Sequence, residues 1–243
     1  MQKPNITNIS PNSKIKELRK EYLLKRDTII SRLHQFQKFY NEPCSWIYSN
    51  GDIVLREVNT SHDHRIFEEL CFCIFTANTS AEMGARAVDA VRDLIIDGSS
   101  EDMTKRLKGM YRFINKRPEY IVHTRNYLIQ EINLSIRDKI ASYREKNELR
   151  NYFAINKEIK GIGMKEASHF LRNIGFRGYA ILDKHIINSM HEFGILKTNT
   201  PPANQHEYLI AEEKFMEFSN SLGIDMDELD LLLWSRKNGK ILK

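Results

Sequence analysis

Residues 159–185 read I-K-G-I-G-M-K-E-A-S-H-F-L-R-N-I-G-F-R-G-Y-A-I-L-D-K-H, and the fold is decided there. The string predicts a helix end, a tight turn and a second helix, then a loop that closes on an acid. Gly161 and Gly163 flank Ile162, so the backbone can bend sharply and approach another surface without a Cβ in the way. Lys165 falls in the first turn of the next helix, where its ammonium meets the positive end of the helix dipole. That placement favours the uncharged amine, the form that acts as a nucleophile. Asp183 stands at the start of the following helix, and the turn at Gly175–Gly178 folds the chain back before it. The expectation is an amine and a carboxylate that meet across a cleft.

Outward from that string, apolar residues recur mostly at helical spacing. Ile15, Leu18, Tyr22, Ile29, Leu33, Phe36 and Phe39 predict one or two amphipathic helices between Ser13 and Tyr40. Residues 1–13 are polar, carry Pro4 and Pro11, and are expected to be loosely docked. Asn50-Gly51 is a turn signal between two short apolar runs, so a small hairpin is expected there. A central helix should start near Ser61–Asp63 and bury Ile66, Phe67, Leu70, Cys71, Ile74 and Phe75. Thr79-Ser80-Ala81-Glu82 reads as a capping box that opens a helix running to Ile96. A short helix ending near Gly109, further helices over 118–132, 135–142 and 146–158, one from after His185 to His191 or Glu192, and two over 206–222 and 227–235 complete an all-α chain.

Composition narrows the class. No apolar run approaches membrane length, and the start M-Q-K-P-N-I-T-N-I-S-P lacks the apolar core of a signal peptide. An intracellular protein without a membrane partner is expected. Cys44, Cys71 and Cys73 make neither a disulfide framework nor a four-thiolate metal site. The net charge of +5 suits a polyanion partner, although lysine-rich solvated faces give the same balance.

G-I-G-M-K, with I-L-D-K-H placing an acid eighteen residues after the lysine, resembles the helix–hairpin–helix DNA glycosylase/lyase superfamily. The longer string K-E-A-S-H-F-L-R-N-I-G, the lysine at 243 and the length are similar to the short, archaeal-type 8-oxoguanine glycosylase/lyase branch. The resemblance covers roughly residues 60–243. It implies two helical lobes with a cleft between them: 1–60 as N-terminal helices of a discontinuous lobe, 61–165 as a middle lobe ending in the hairpin, and 166–243 completing the first lobe. Relatives such as endonuclease III carry a C-terminal iron–sulfur cluster. No cysteine follows position 73 here, so no cluster is expected.

The residues that would carry chemistry follow. Gly161, Ile162 and Gly163 offer backbone N–H groups at a helix N-terminus, a seat for a phosphate oxygen, unless the corner serves packing alone. The resemblance implies that carbonyls near Ile159 and Ile162 hold a monovalent cation bridging to DNA, and no other cofactor is expected. It also implies that the Lys165 amine attacks C1′ of the damaged nucleotide, so that a Schiff base and β-elimination follow. Asp183 doubles as a helix N-cap and as an anion facing the charge that builds on the sugar. His169, four residues after Lys165, shares its helical face, either lining a base pocket or packing. Asn78 either ends a helix or fills the gap left by an extruded nucleotide.

At the other end, the resemblance implies that Trp234 stacks on the base and that the chain-end carboxylate of Lys243 reaches the pocket; Ile241-Leu242 looks anchored. Oxidised guanine differs from guanine by an N7–H donor and an O8, so an acceptor for N7–H would reject the normal base. The chain end, Asp230 or a backbone carbonyl could supply it. Arg112, Lys116, Arg117 and Arg125 are either phosphate contacts or a solvated face. The reading is a monomeric, intracellular repair enzyme that excises 8-oxoguanine from duplex DNA and cleaves the strand. Its rivals are a glycosylase for another damaged base, a non-catalytic helix–hairpin–helix module and a helical scaffold.

Overall fold

The computed structural model describes residues 11–243, so the polar start lies outside the described residues through Ser10. The chain folds as two compact units. One joins the described residues up to Ser31 with Leu182–Ile241, and the other joins Arg32–Ile181 with Leu242–Lys243. We call these the C-terminal and the central unit. The expected boundaries after 60 and 165 differ from those found after 31 and 181. Two packing relations move them. Residues 44–57 pack on the third helix, and the helix after the hairpin packs on the central one, so both segments fall within the central unit.

The central unit is built around α2 (His62–Thr76), whose N-cap Ser61 accepts from the His64 N–H. Phe67, Leu70, Phe72, Ile74 and Phe75 on α2 are all at most 1% exposed, and each contributes about 1.5–3 kcal/mol by leaving water. Around α2 pack α3 (Ala81–Val91), α5 (Lys116–Ile132), α6 (Ile136–Ala141) and α8 (Met164–Asn173). Helix α3 is capped by Ser80 rather than Thr79, because the Ser80 hydroxyl accepts from the Met83 N–H. Glu82 then has no capping duty and accepts from the Tyr48 hydroxyl at 2.7 Å. Helix α3 stops at Val91 and continues only as a 3-10 turn, Arg92–Leu94. Helices α4 (Ser100–Leu107) and α7 (Lys146–Ala154) complete the unit's helices.

The hairpin is real: β1 (Cys44–Ser49) pairs antiparallel with β2 (Asp52–Glu57), Ser49 opposite Asp52. Asn50 and Gly51 both have positive φ, the backbone that a two-residue turn between twisted strands needs. Buried Arg65 donates to the Phe39 and Cys44 carbonyls at 2.8 and 2.5 Å, tying the strand to the preceding helix.

That preceding helix, α1 (Pro11–Asn41), is one long element shared between the units. In the C-terminal unit its first part joins α9 (Lys184–Glu192), α10 (Gln205–Leu222) and α11 (Met226–Asn238). Lys25 donates to Ser235 Oγ at 2.9 Å, Arg236 pairs with Glu21 at 3.1 Å, and Tyr22 donates to Glu228. Among the described residues no helix is long and apolar enough to cross a membrane. Also among them, no group of three or more His, Cys, Asp or Glu could hold a metal ion.

Candidate active site

The turn between α7 and α8 is held from both sides. Ile159 and Ile162 are buried, 2% and 7% exposed, so their side chains anchor the corner. Gly161 has φ +76°, and a Cβ there would lie 2.7 Å from the Tyr120 ring. Only glycine fits that backbone and that space. The Lys160 N–H donates to Thr124 Oγ1 at 2.9 Å, and the Gly163 N–H donates to Glu166 Oε2 at 3.3 Å, closing the start of α8.

Lys165 follows in the first turn of α8 with its side chain 28% exposed, its Nζ 2.9 Å from Glu166 Oε1. Glu166 therefore serves two neighbours, the turn backbone and the lysine. One helical turn on, His169 is half-buried and meets the Phe72 ring edge-on at 5.6 Å. Burial, together with the Arg172, Lys165 and Lys243 cations, holds its imidazolium well below the ordinary range, although the ring donates to the Lys243 backbone. The neutral ring is the resident form at pH 7. Lys243 itself is 4% exposed and pairs with Glu69, while Ile241 and Leu242 before it are only half-buried. The anchor at this end is the lysine, not the apolar pair.

Asp183, in the C-terminal unit, caps α9: its Oδ1 accepts from the His185 and Ile186 N–H groups at 2.7 and 2.9 Å. Its other oxygen accepts from the Trp234 indole N–H at 3.1 Å. Sequence reading treated these two residues separately, and the structure joins them. The carboxylate is fixed by three donors and the indole plane by one, which suits a group that must hold its position. Asp230 lies in the same unit on α11, 2% exposed.

A family model for 8-oxoguanine DNA glycosylase matches residues 52–224. The chain belongs to the 8-oxoguanine DNA glycosylase family. A Korarchaeum cryptofilum protein named 8-oxoguanine DNA glycosylase/AP lyase is 40% identical over 74% of this chain and 84% of its own length. A Methanocaldococcus jannaschii protein of the same name is 33% identical over 95% of this chain and 98% of its own. Among solved structures, the Methanocaldococcus jannaschii 8-oxoguanine glycosylase/lyase in complex with a 15mer DNA containing 8-oxoguanine aligns with TM-score 0.77 and 31% identity. That alignment covers 94% of this chain and 100% of the other. The Thermotoga maritima 8-oxoguanine DNA glycosylase aligns with TM-score 0.77 and 28% identity, over 96% and 100%.

The remaining candidates of this 8-oxoguanine DNA glycosylase family member sort by burial. Asn78 is exposed just past the end of α2 with φ +63°, a left-handed conformation that asparagine tolerates better than most residues. It terminates the helix and is also open to solvent. Arg117 donates to the Ala77 carbonyl beside it at 3.0 Å, while Arg112 and Lys116 are exposed. Arg125 is neither a phosphate contact nor a solvated residue: it is 7% exposed and donates to the Ile95 and Gly98 carbonyls at 3.2 and 2.8 Å. Sequence reading missed Glu69 and Glu166. The one available signal was an acid inside the apolar run of α2, and for Glu166 its place beside the lysine.

Proposed function

We propose that this family member is a bifunctional 8-oxoguanine DNA glycosylase/AP lyase acting on duplex DNA inside the cell, with Lys165 as nucleophile. The observation that carries the reading is Lys165 itself: partly exposed, in the first turn of α8, directly after the glycine corner, with a carboxylate at 2.9 Å. Glu166 is the group suited to take up the proton that the ammonium must lose. The free amine then bonds to C1′ as the bond from C1′ to the base nitrogen breaks, and the base leaves with that electron pair and acquires a proton. The C1′–O4′ bond then breaks, the nitrogen lone pair forming the C=N bond while O4′ takes up the proton and becomes the 4′-hydroxyl, and the ring opens to an imine on Lys165. Removal of a C2′ proton from that imine expels the 3′ phosphate, which breaks the strand.

Asp183, held by three donors, stabilises the positive charge on the sugar during bond breaking. Trp234, oriented through its N–H, offers its ring face to the extruded base. Asn78, exposed and conformationally fixed, takes the space the base vacates, and the backbone at Gly161–Gly163 receives phosphate. Among the described residues no donor meets the Ile159 or Ile162 carbonyl, so both are free to bind a monovalent cation, which would supply positive charge next to the DNA backbone.

An excision panel tests the reading. Duplexes carrying 8-oxoguanine, an oxidised pyrimidine or an abasic site are incubated with wild type and Lys165→Gln. The expected result is base release and strand cleavage on 8-oxoguanine by wild type and neither by the variant. Preference for the pyrimidine would move the chain to another substrate, and binding without any cleavage would leave only a DNA-clamping module.

A further inference from the structure

Lys243 carries an arrangement that neither the reaction nor the packing of its unit demands. Its ammonium donates to Glu69 Oε2 at 2.5 Å and lies 3.8 Å from the Phe72 ring centre and 5.1 Å from that of Trp46. Glu69, 3% exposed, takes a second hydrogen bond from Asn173 Nδ2 at 2.7 Å. Phe72 brings His169 to the same place, its ring 3.8 Å from the ammonium and edge-on to the imidazole at 5.6 Å, and the Lys243 backbone lies on the acceptor side of that ring. One lysine thus links α2, through Glu69, to α8, through His169. Stripping water from two ions costs more than packing an apolar pair of the same volume, so stability alone does not call for this solution. Nor is the segment held by its apolar residues, since Ile241 and Leu242 stay half-buried. What a buried ion pair adds is direction: it fixes one position for Lys243 and hence for the ring that bonds to it.

His169 sits four residues after Lys165 on the same face of α8, so its ring is presented beside the reacting amine. We propose that Glu69, clamped by Asn173, is a positioning residue for damaged-base selection: acting through Lys243, it fixes one orientation and one tautomer of the His169 ring. This rests on the glycosylase reading above. The Lys243 side chain is then a locked strut, not an arm that contacts the base.

Glu69→Gln keeps the shape and removes the charge. Single-turnover excision of 8-oxoguanine should fall roughly 10–100-fold, as for a misplaced contact group, while cleavage of a preformed abasic site changes by no more than about twofold. Equal loss on both substrates would overturn the proposal. A second variant, Glu69→Gln with Lys243→Met, removes both charges of the pair. Recovered thermal stability without recovered excision supports positioning; excision that returns with stability means the pair is only structural and overturns it. Nitrogen NMR of the His169 ring at neutral pH gives a readout independent of activity. Two distinct ring-nitrogen signals in wild type that average in Glu69→Gln support the lock, and identical spectra overturn it. Failure of wild type to excise 8-oxoguanine would instead defeat the glycosylase reading, with the NMR comparison still deciding the lock.

Discussion

Lys165 and Lys243 lie in the same unit, and each faces a glutamate, but water reaches only one of them. The Lys165 side chain is 28% exposed beside Glu166, whereas the side chains of Lys243 and Glu69 are 2% and 3% exposed. A partly exposed pair contributes about 0–1 kcal/mol and can open at little cost. The buried pair is different: each charge is tolerable only because the other is there. Burial raises the Glu69 carboxyl and lowers the Lys243 ammonium, and each shift is opposed by the partner's charge. Solvent access, not the presence of a carboxylate, therefore separates the two lysines.

The sharpest way to break that contrast is Lys243→Gln. Leaving the Glu69 carboxylate buried without its cation should cost about 3–5 kcal/mol in chemical denaturation. The same exchange at Lys165 should cost under about 1 kcal/mol. Equal losses would mean that burial does not distinguish the two sites. Next comes Asp183→Asn, which asks whether the C-terminal unit contributes charge or only structure. Asparagine caps helices about as well as aspartate, so the melting temperature should stay close to wild type. Excision should slow roughly 10²–10³-fold through the lost negative charge. An unchanged excision rate would remove Asp183 from the mechanism.

The smallest effect is on pH dependence. The folded chain keeps His169 neutral well below its ordinary value of 6.5, and His62, between two arginines, is also lowered. The unfolded chain binds these protons near 6.5 and the folded chain does not. The His169 contribution to stability is therefore full above 6.5 and is lost as pH drops through that value. Denaturation at pH 7 and pH 5.5 on wild type and His169→Gln measures it, and the variant should show the shallower loss. A slope identical in both would place the His169 ring in solvent.

Much of this was legible because it is local. The glycine corner, Lys165 and Asp183 are fixed by spacing along the chain, and a two-residue turn signal gave the hairpin at Asn50-Gly51. Residues that act through distant partners were not legible. Glu69 and Lys243 are 174 positions apart, and Asp183 and Trp234 are 51, so nothing in the periodicity ties either pair. Glu166 was in plain view, but neighbours in sequence do not normally face each other on a helix. Arg125 reads like any surface arginine until the carbonyls that enclose it are seen. The unit boundaries escaped for the same reason, since the hydrophobic pattern shows which face of α1 or α8 is buried and not what covers it.

Borohydride trapping is the most direct test of the claim that Lys165 forms the covalent intermediate. Wild type is mixed with an 8-oxoguanine duplex and sodium borohydride, and the adduct is digested and sequenced by mass spectrometry. A reduced sugar–peptide link on Lys165, absent from Lys165→Gln, is the result this account predicts. An adduct on any other residue, or one that persists in Lys165→Gln, would contradict it.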